Sequence, residues 1–465
     1  MAVETASATD DQPPLMVVAP PGPQSVALGR RLVATECPAF AERRQQRALA
    51  TEDASLPIAL ARGHLSNIFD ADGNRYVDLA AGFGAAILGH GPSAAHEAVT
   101  GQVATLAQGL GDLYPSTVKV DLLERLATLY PEPGARVLLG QSGADAVTAA
   151  MKTALLATGR PGVLAFDGAY HGMSYAPLAA CGFRASFREV FREQLSSHVV
   201  FAPYPSANVG LSEVLEAVER LLEAGNIGAI LVEPLLGRGG VLVPPAGFLV
   251  KLAELGRAHA ALLIADEIWT GIGRSGAILA SVADGVVPDL ICIGKGLGAS
   301  FPISACIGSD AVMRAWARGG DVIHTSTHAG APIGCAAALA TLDEVLRAEL
   351  PMRAAELGAR LTKALEEELG GLHNVVQVRG RGLIVGVELS SGALGLAAHK
   401  QLLERGYLAT VGGSAGEVLV FTPPLTITRD VLLGVVPVLG EILRAVSIVT
   451  CEAGLGTHVP RASSA

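Results

Sequence analysis

Lysine is scarce in this 465-residue chain: Lys119, Lys152, Lys251, Lys295, Lys363 and Lys400 are the only six among 34 basic side chains. Charged residues make up 17% and aromatics 4%, where ordinary soluble domains carry about 25% charge. Each shortage excludes something. A net charge of −10 leaves no basic footprint for a phosphate backbone, which argues against nucleic acid as a partner. Long apolar runs are missing too. Val431–Leu439 and Ala261–Ala265 are broken or ended by Gly, Pro or acids, well short of the about 20 residues of a spanning helix. Glu4, Asp10 and Asp11 occupy the start, and the Leu15–Ala19 run is too brief for a secretory signal. The cysteines (Cys37, Cys181, Cys292, Cys306, Cys335, Cys451) form no Cys-x-x-Cys pair and mostly fall inside apolar runs, as reduced core thiols do. The expectation is a cytoplasmic protein with no membrane partner.

What is abundant is apolar. Hydrophobic residues reach 50%, with 55 Gly besides, and that surplus needs a destination. A large core plus a buried subunit surface supplies one, so an obligate oligomer is expected.

Residues 1–25 mix Ala, Pro, Ser and Thr without periodicity and read as a disordered leader. The end of the chain, 451–465, reads as a flexible tail. From about residue 130, short apolar strands alternate with amphipathic helices. Strands are expected at Arg136–Leu139, Val163–Phe166, His198–Ala202, Gly228–Val232, Ala261–Ala265 and Leu290–Ile293. Helices are expected at Ala144–Ala157, Leu211–Ala224, Gly247–His259 and Ala331–Arg347. That pattern means an α/β protein whose large domain, 85–345, holds a mostly parallel sheet covered by helices. A smaller α/β domain would combine 26–84 with 346–450. Its expected strands are Val375–Arg379, Leu383–Glu388 and Val418–Phe421, with a strand-turn-strand around Asp70–Gly73.

In parallel sheets ligands bind beyond the carboxyl ends of the strands. Lys295 stands there, after the apolar strand Leu290–Ile293 and between Gly294 and Gly296. A lysine at a buried strand end loses hydration, its amine pKa falls, and it becomes a nucleophile. Asp266 ends another strand 29 positions earlier. An aspartate and such a lysine on one rim suggest pyridoxal phosphate, with the lysine at the aldehyde carbon and the carboxylate at the pyridine nitrogen. Gln141-Ser142-Gly143-Ala144 follows a strand and opens a helix, an anion site that would seat the phosphate. A rival signal is Gly271-Ile-Gly-Arg-Ser-Gly276, which satisfies G-x-G-x-x-G and keeps a nicotinamide-dependent dehydrogenase open as an alternative. His324 and His328 read as polar loop residues, and no metal is expected.

Taken in order, Leu88-Gly-His90, Ser142-Gly-Ala-Asp-Ala146, Ala169-Tyr-His-Gly172, Val232-Glu-Pro234, Asp266-Glu-Ile268, Lys295-Gly-Leu297 and His324-Thr-Ser-Thr327 form a set. With it the chain resembles the class III aminotransferases of fold type I, from about Pro57 to Ala445. The resemblance implies that Lys295 is the Schiff-base lysine, Asp266 the partner of the ring nitrogen and Tyr170 the aromatic on one ring face. It implies Ile268 on the opposite face, Gly143 and Ala144 at the phosphate, His171 in support and Glu233 near the site. Thr327 would reach the phosphate of the neighbouring subunit, making a homodimer with shared sites.

Two departures from the family pattern concern substrate. Trp269 stands where relatives often have Gln, and Val420 where many carry an Arg that grips an α-carboxylate. Arg238 sits where such members often have an acid. The expected reaction is ping-pong transamination between an amine or amino-acid donor and a ketone or aldehyde acceptor. The main substrate would lack an α-carboxylate, as ω-amines and amino sugars do, with Arg238, Trp269 and Glu233 as substrate residues. A racemase, epimerase or aminomutase of the same family remains the nearer alternative.

Overall fold

A computed structural model describes residues 10–51, 56–91, 93–317 and 320–454. Its centre is a seven-stranded sheet. In space the strands run Arg136–Gly140, Ser304–Gly308, Leu290–Ile293, Leu262–Asp266, Ile227–Val232, Gly162–Phe166, Val199–Ala202. The last five of these pair in parallel. Ile227–Val232 is buried at every position, as a central strand covered on both faces must be. The covering helices show the complementary pattern. Leu211–Glu223, for example, buries Val214, Val218 and Leu222, one turn apart along one stripe.

The expected strands and helices form, with ends displaced by a residue or two. One strand goes beyond the sequence expectation: Ser304–Gly308 runs antiparallel to both of its neighbours. It places Cys306 opposite Cys292, both buried.

Two further sheets have four strands each, and the first of them draws on both ends of the chain. Leu60–His64, Asn67–Asp70 and Arg75–Asp78 form a meander closed by Tyr407–Leu408, which adds in parallel to the third strand. Val375–Arg381, Ile384–Leu389, Val418–Phe421 and Thr410–Gly412 form an antiparallel sheet. A helix absent from the expectations, Leu350–Leu369, buries Leu350, Ala354, Leu357, Leu361 and Leu365 beneath it.

The leader expectation needs correcting for residues 10–25. Leu15 exchanges backbone hydrogen bonds with Arg75, Asn67 and Asn74 side chains bind the backbone of residues 12, 17 and 18, and a helix begins at Pro23. Buried asparagines satisfy this stretch in place of water, so its polar composition does not leave it loose. Residues 1–9 and 455–465 lie outside the described residues. No helix among the described residues is long and apolar enough to cross a membrane.

Candidate active site

Asp266 is the last residue of its strand, and its register partner on the next strand is Cys292. Lys295 follows that neighbouring strand by two residues, so both side chains emerge on one rim of the sheet. Lys295 takes a left-handed backbone (φ 41°), a conformation that non-glycine residues adopt rarely and mostly at special sites. Its Nζ lies 4.3 Å from the centre of the Trp269 ring. Burial pulls the amine down to about 8, against the pull of Asp266 and Glu233; Arg238 and Arg274 push it the same way as burial.

Asp266 is sealed in. One oxygen accepts from the Ile268 N–H at 3.1 Å, and the other lies 2.7 Å from His171 Nδ1. Nε2 of the same histidine is buried and unpartnered. Glu233 accepts from the N–H groups of Tyr170 (2.8 Å) and Gly237 (3.1 Å). Burial pushes its carboxyl up to about 7; His171 opposes this and Asp266 adds to it. Glu267 faces the other way, into the protein, where the backbone and hydroxyl of Ser281 (both 2.7 Å) and the Thr270 hydroxyl hold it.

The helix Gly143–Thr158 opens beside this rim. Its Ser142 hydroxyl accepts from the Asp145 N–H, while the Asp145 carboxylate accepts from the N–H groups of Gln141 and Ser142. Ser142 is thus occupied by its capping box and faces solvent outside the chamber. The first-turn donors of Gly143 and Ala144 carry the anion-binding end of the helix. At Gly143 a Cβ would lie 2.7 Å from Ile268 Cδ1, so any larger residue would have to shift the Ile268 side chain.

A chamber of about 690 Å³ joins these parts. Lys295, Asp266, His171 and Glu233 line it, as do Tyr170, Ile268, Trp269, Gly143, Ala144 and Arg238. Tyr170 packs edge-on against Phe183 and carries the Arg238 guanidinium 4.6 Å above its ring. Trp269 stands in a slot between two glycines. A Cβ on Gly84 would lie 2.7 Å from its Nε1, and one on Gly237 would lie 2.2 Å from its Cε3. Val420 lines the chamber as well. Arg43, Arg47, Phe83 and His399 also reach it, beyond the sequence expectations. The i, i+4 spacing of Arg43 and Arg47 signals one helix face, but nothing in sequence ties that face to Arg238.

Thr327 is exposed and outside the chamber of its own subunit. Its carbonyl accepts from the Gln108 side chain at 2.6 Å, and the adjacent Ser326 hydroxyl accepts from Gln141 at 3.1 Å. The glycines of the G-x-G-x-x-G stretch open no helix. Gly273 and Gly276 turn with φ near 90° against Pro351 and Ala355, and Arg274 is buried with its guanidinium donating to the carbonyls of Leu383 and Pro423. The dinucleotide reading has no helix N-terminus to rest on and is set aside. No cluster of metal-ligating side chains occurs among the described residues.

The residues present fit pyridoxal phosphate. A lysine amine, a carboxylate oriented by a histidine, an aromatic wall and a helix start at Gly143 converge on one chamber, and the buried His171 Nε2 still lacks a partner. Set at the carboxyl rim of a mostly parallel sheet, they define a pyridoxal-phosphate-dependent enzyme of fold type I. The chain belongs to the class-III aminotransferases, whose family model matches residues 48–443. It is 34% identical over 390 residues to an acetylornithine aminotransferase of Methanothermobacter thermautotrophicus, covering 83% of this chain and 94% of that one. A 4-aminobutyrate aminotransferase of Mycobacterium leprae is 31% identical, with 91% and 96% covered. Among solved structures, a PLP-bound amine transaminase from an uncultivated Pseudomonas species superimposes with a TM-score of 0.77 at 30% identity, with 85% and 96% covered.

Proposed function

We propose that this class-III aminotransferase takes its amino group from a donor whose reacting carbon carries no carboxylate, an ω-amine or an amino sugar. The observation that carries this reading is Val420, buried and on the chamber wall. An aliphatic side chain there offers no bidentate grip for an α-carboxylate. One solved relative is an amine transaminase, which is compatible with such a donor.

Bound pyridoxal phosphate supplies an electron sink for the carbon that bears the amine. The side chains divide the remaining work. Lys295, whose burial favours the neutral amine, would take and return the proton at that carbon. Asp266, oriented by His171, would accept the ring-nitrogen hydrogen bond and keep that nitrogen protonated. Gly143 and Ala144 would donate to the phosphate, and Tyr170 and Ile268 would hold the ring between them. Glu233 fixes Tyr170 through its backbone N–H.

Thr327 of the partner subunit completes the phosphate seat in a homodimer. Leu113 (71% exposed), Tyr114 (72%), Val322 (67%) and Ile323 (54%) support this reading, as apolar groups left uncovered by their own subunit and adjoining the Gln108 and Thr327 segments.

Single-turnover absorbance with paired donors tests the reading. Amines without an α-carboxylate should convert the cofactor to its aminated form. Conversion by α-amino acids alone would overturn it, and racemisation of the donor without conversion would favour the epimerase alternative.

A further inference from the structure

Trp269 stands three residues beyond the strand Leu262–Asp266, on the wall of the main chamber. Its indole has little freedom. Gly84 closes on the Nε1 edge and Gly237 on the six-membered ring, and the buried side chains of Leu235, Val241 and Val420 pack with it. Nε1 is itself buried and has no hydrogen-bond partner among the described residues. Packing alone therefore sets the plane of the ring.

That plane presents a face to Lys295. Nζ lies 4.3 Å from the ring centre, inside the about 6 Å over which a cation and a π face attract, and tryptophan is the strongest aromatic in this role. Among the described residues Nζ makes no hydrogen bond and no ion pair, so the indole face is the partner the ammonium has. Burial disfavours that ammonium by stripping its water. Other charges act without touching it: Asp266 and Glu233 favour it, while Arg238 and Arg274 oppose it. His171, Tyr170, Arg43, Arg47 and His399 line the same chamber. A carboxylate in direct contact would pin the amine in its charged form. A ring face attracts the cation more weakly and leaves the neutral amine unbound.

We infer that Trp269 is a positioning residue for the Lys295 amine: its ring face receives the ammonium formed when Nζ takes the proton from the donor carbon, and holds it until the proton is given back. The C–H electron pair stays with the substrate and the bound cofactor, and the Nζ lone pair makes the new N–H bond. The positive charge that appears on nitrogen then sits over the π face. When the proton leaves, the attraction leaves with it and the amine is released.

Capture of pyridoxal phosphate by apoprotein reads the state of this amine with no donor present. The ring favours the ammonium, so its loss should lower the amine pKa and move the rising limb of the capture rate to lower pH. Trp269→Leu should move that limb by about half a unit to one and a half units, and Trp269→Phe, which keeps a weaker face, by less. A tryptophan that only fills space predicts the reverse, because water entering the gap would solvate the ammonium and carry the limb upward. Intrinsic fluorescence gives a second reading on the unsubstituted apoprotein. Its emission should titrate along the same limb, and either Lys295→Met or Trp269→Phe should flatten that titration. A limb that stays in place or rises in either variant, or moves as far for Phe as for Leu, would overturn the inference. So would flat emission in the unsubstituted protein, or a titration that survives Lys295→Met. Neither measurement involves a donor, so the outcome is independent of which amine the enzyme accepts.

Discussion

Nδ1 of His171 lies 2.7 Å from Oδ2 of Asp266, and neither side chain is open to solvent. A carboxylate fixed in this way presents its charge in one direction, toward the chamber. Asp266→Asn keeps the shape and removes the charge. The rate of cofactor amination should fall on the order of 100-fold, since a charge-assisted hydrogen bond is worth about 2–3 kcal/mol. Stopped-flow absorbance measures this, and an unchanged rate would remove Asp266 from the chemistry.

The amine of Lys295 titrates near 8, and its proton must leave before it can attack an aldehyde. The rate at which apoprotein captures pyridoxal phosphate should therefore rise with pH and level off above about 8. Asp266 holds that value up, so Asp266→Asn should move the rising limb to lower pH. A limb that stays where it is would mean that the charge on Asp266 does not reach the amine.

Glu233 has the opposite sign. Its folded pKa, about 7, lies above the ordinary carboxyl value of 4.5. The fold therefore favours the protonated form, and the stability this brings is present below about 4.5 and lost as pH rises through 7. Glu233→Gln imitates the protonated side chain. Wild-type apoprotein should lose melting temperature relative to this variant between pH 4.5 and 7, by on the order of a few degrees. Parallel melting curves across that window would contradict the assignment.

Trp269 and Trp316 are the only two tryptophans in the chain, and only the first lines the chamber. Filling with cofactor should quench part of the fluorescence, and Trp269→Phe should abolish most of that quenching. Gly237→Ala would place a Cβ 2.2 Å from the indole and displace it. This variant should fold, yet bind cofactor more weakly by about tenfold or more, a loss of roughly 1–3 kcal/mol from overpacking.

Thr327 faces away from its own chamber. Thr327→Ala should raise the dissociation constant for pyridoxal phosphate severalfold, about 1 kcal/mol for one hydrogen bond. Dilution that dissociates wild-type subunits should release cofactor in parallel, as sedimentation and absorbance together can follow. Retention of cofactor by isolated subunits would argue against shared sites.

The rim was legible in sequence because parallel strands announce themselves as unbroken apolar runs, and Asp266 and Lys295 end two of them. Ser304–Gly308 was harder: Ser-Ala-Cys-Ile-Gly has small residues at both ends and no alternation, and only its neighbours decide its direction. Leu350, Leu357 and Leu361 carry helical spacing, yet the helix Leu350–Leu369 stood in no expectation, having no chemistry of its own to draw attention to it. A strand end sends the adjacent carboxylates at 266 and 267 to opposite sides, and only Asp266 reaches the chamber. Arg43 and Arg47 illustrate the deeper limit. Their meeting with Arg238 depends on how an N-terminal helix lies across the domain, which no local spacing encodes.

Asp11, almost wholly buried, accepts from the Ser66 N–H at 2.8 Å with one oxygen and from the Thr428 N–H at 2.6 Å with the other. Leu408 likewise completes a sheet begun at Leu60. The beginning of the chain is thus fastened to its end, and the order of synthesis matters. At about 5–20 residues per second, the segment made first waits on the order of half a minute to a minute on the ribosome for the partners that cover it. During that interval the meander Leu60–Asp78 exposes an unpaired edge, and nascent chains held close together on one messenger have the opportunity to join there wrongly.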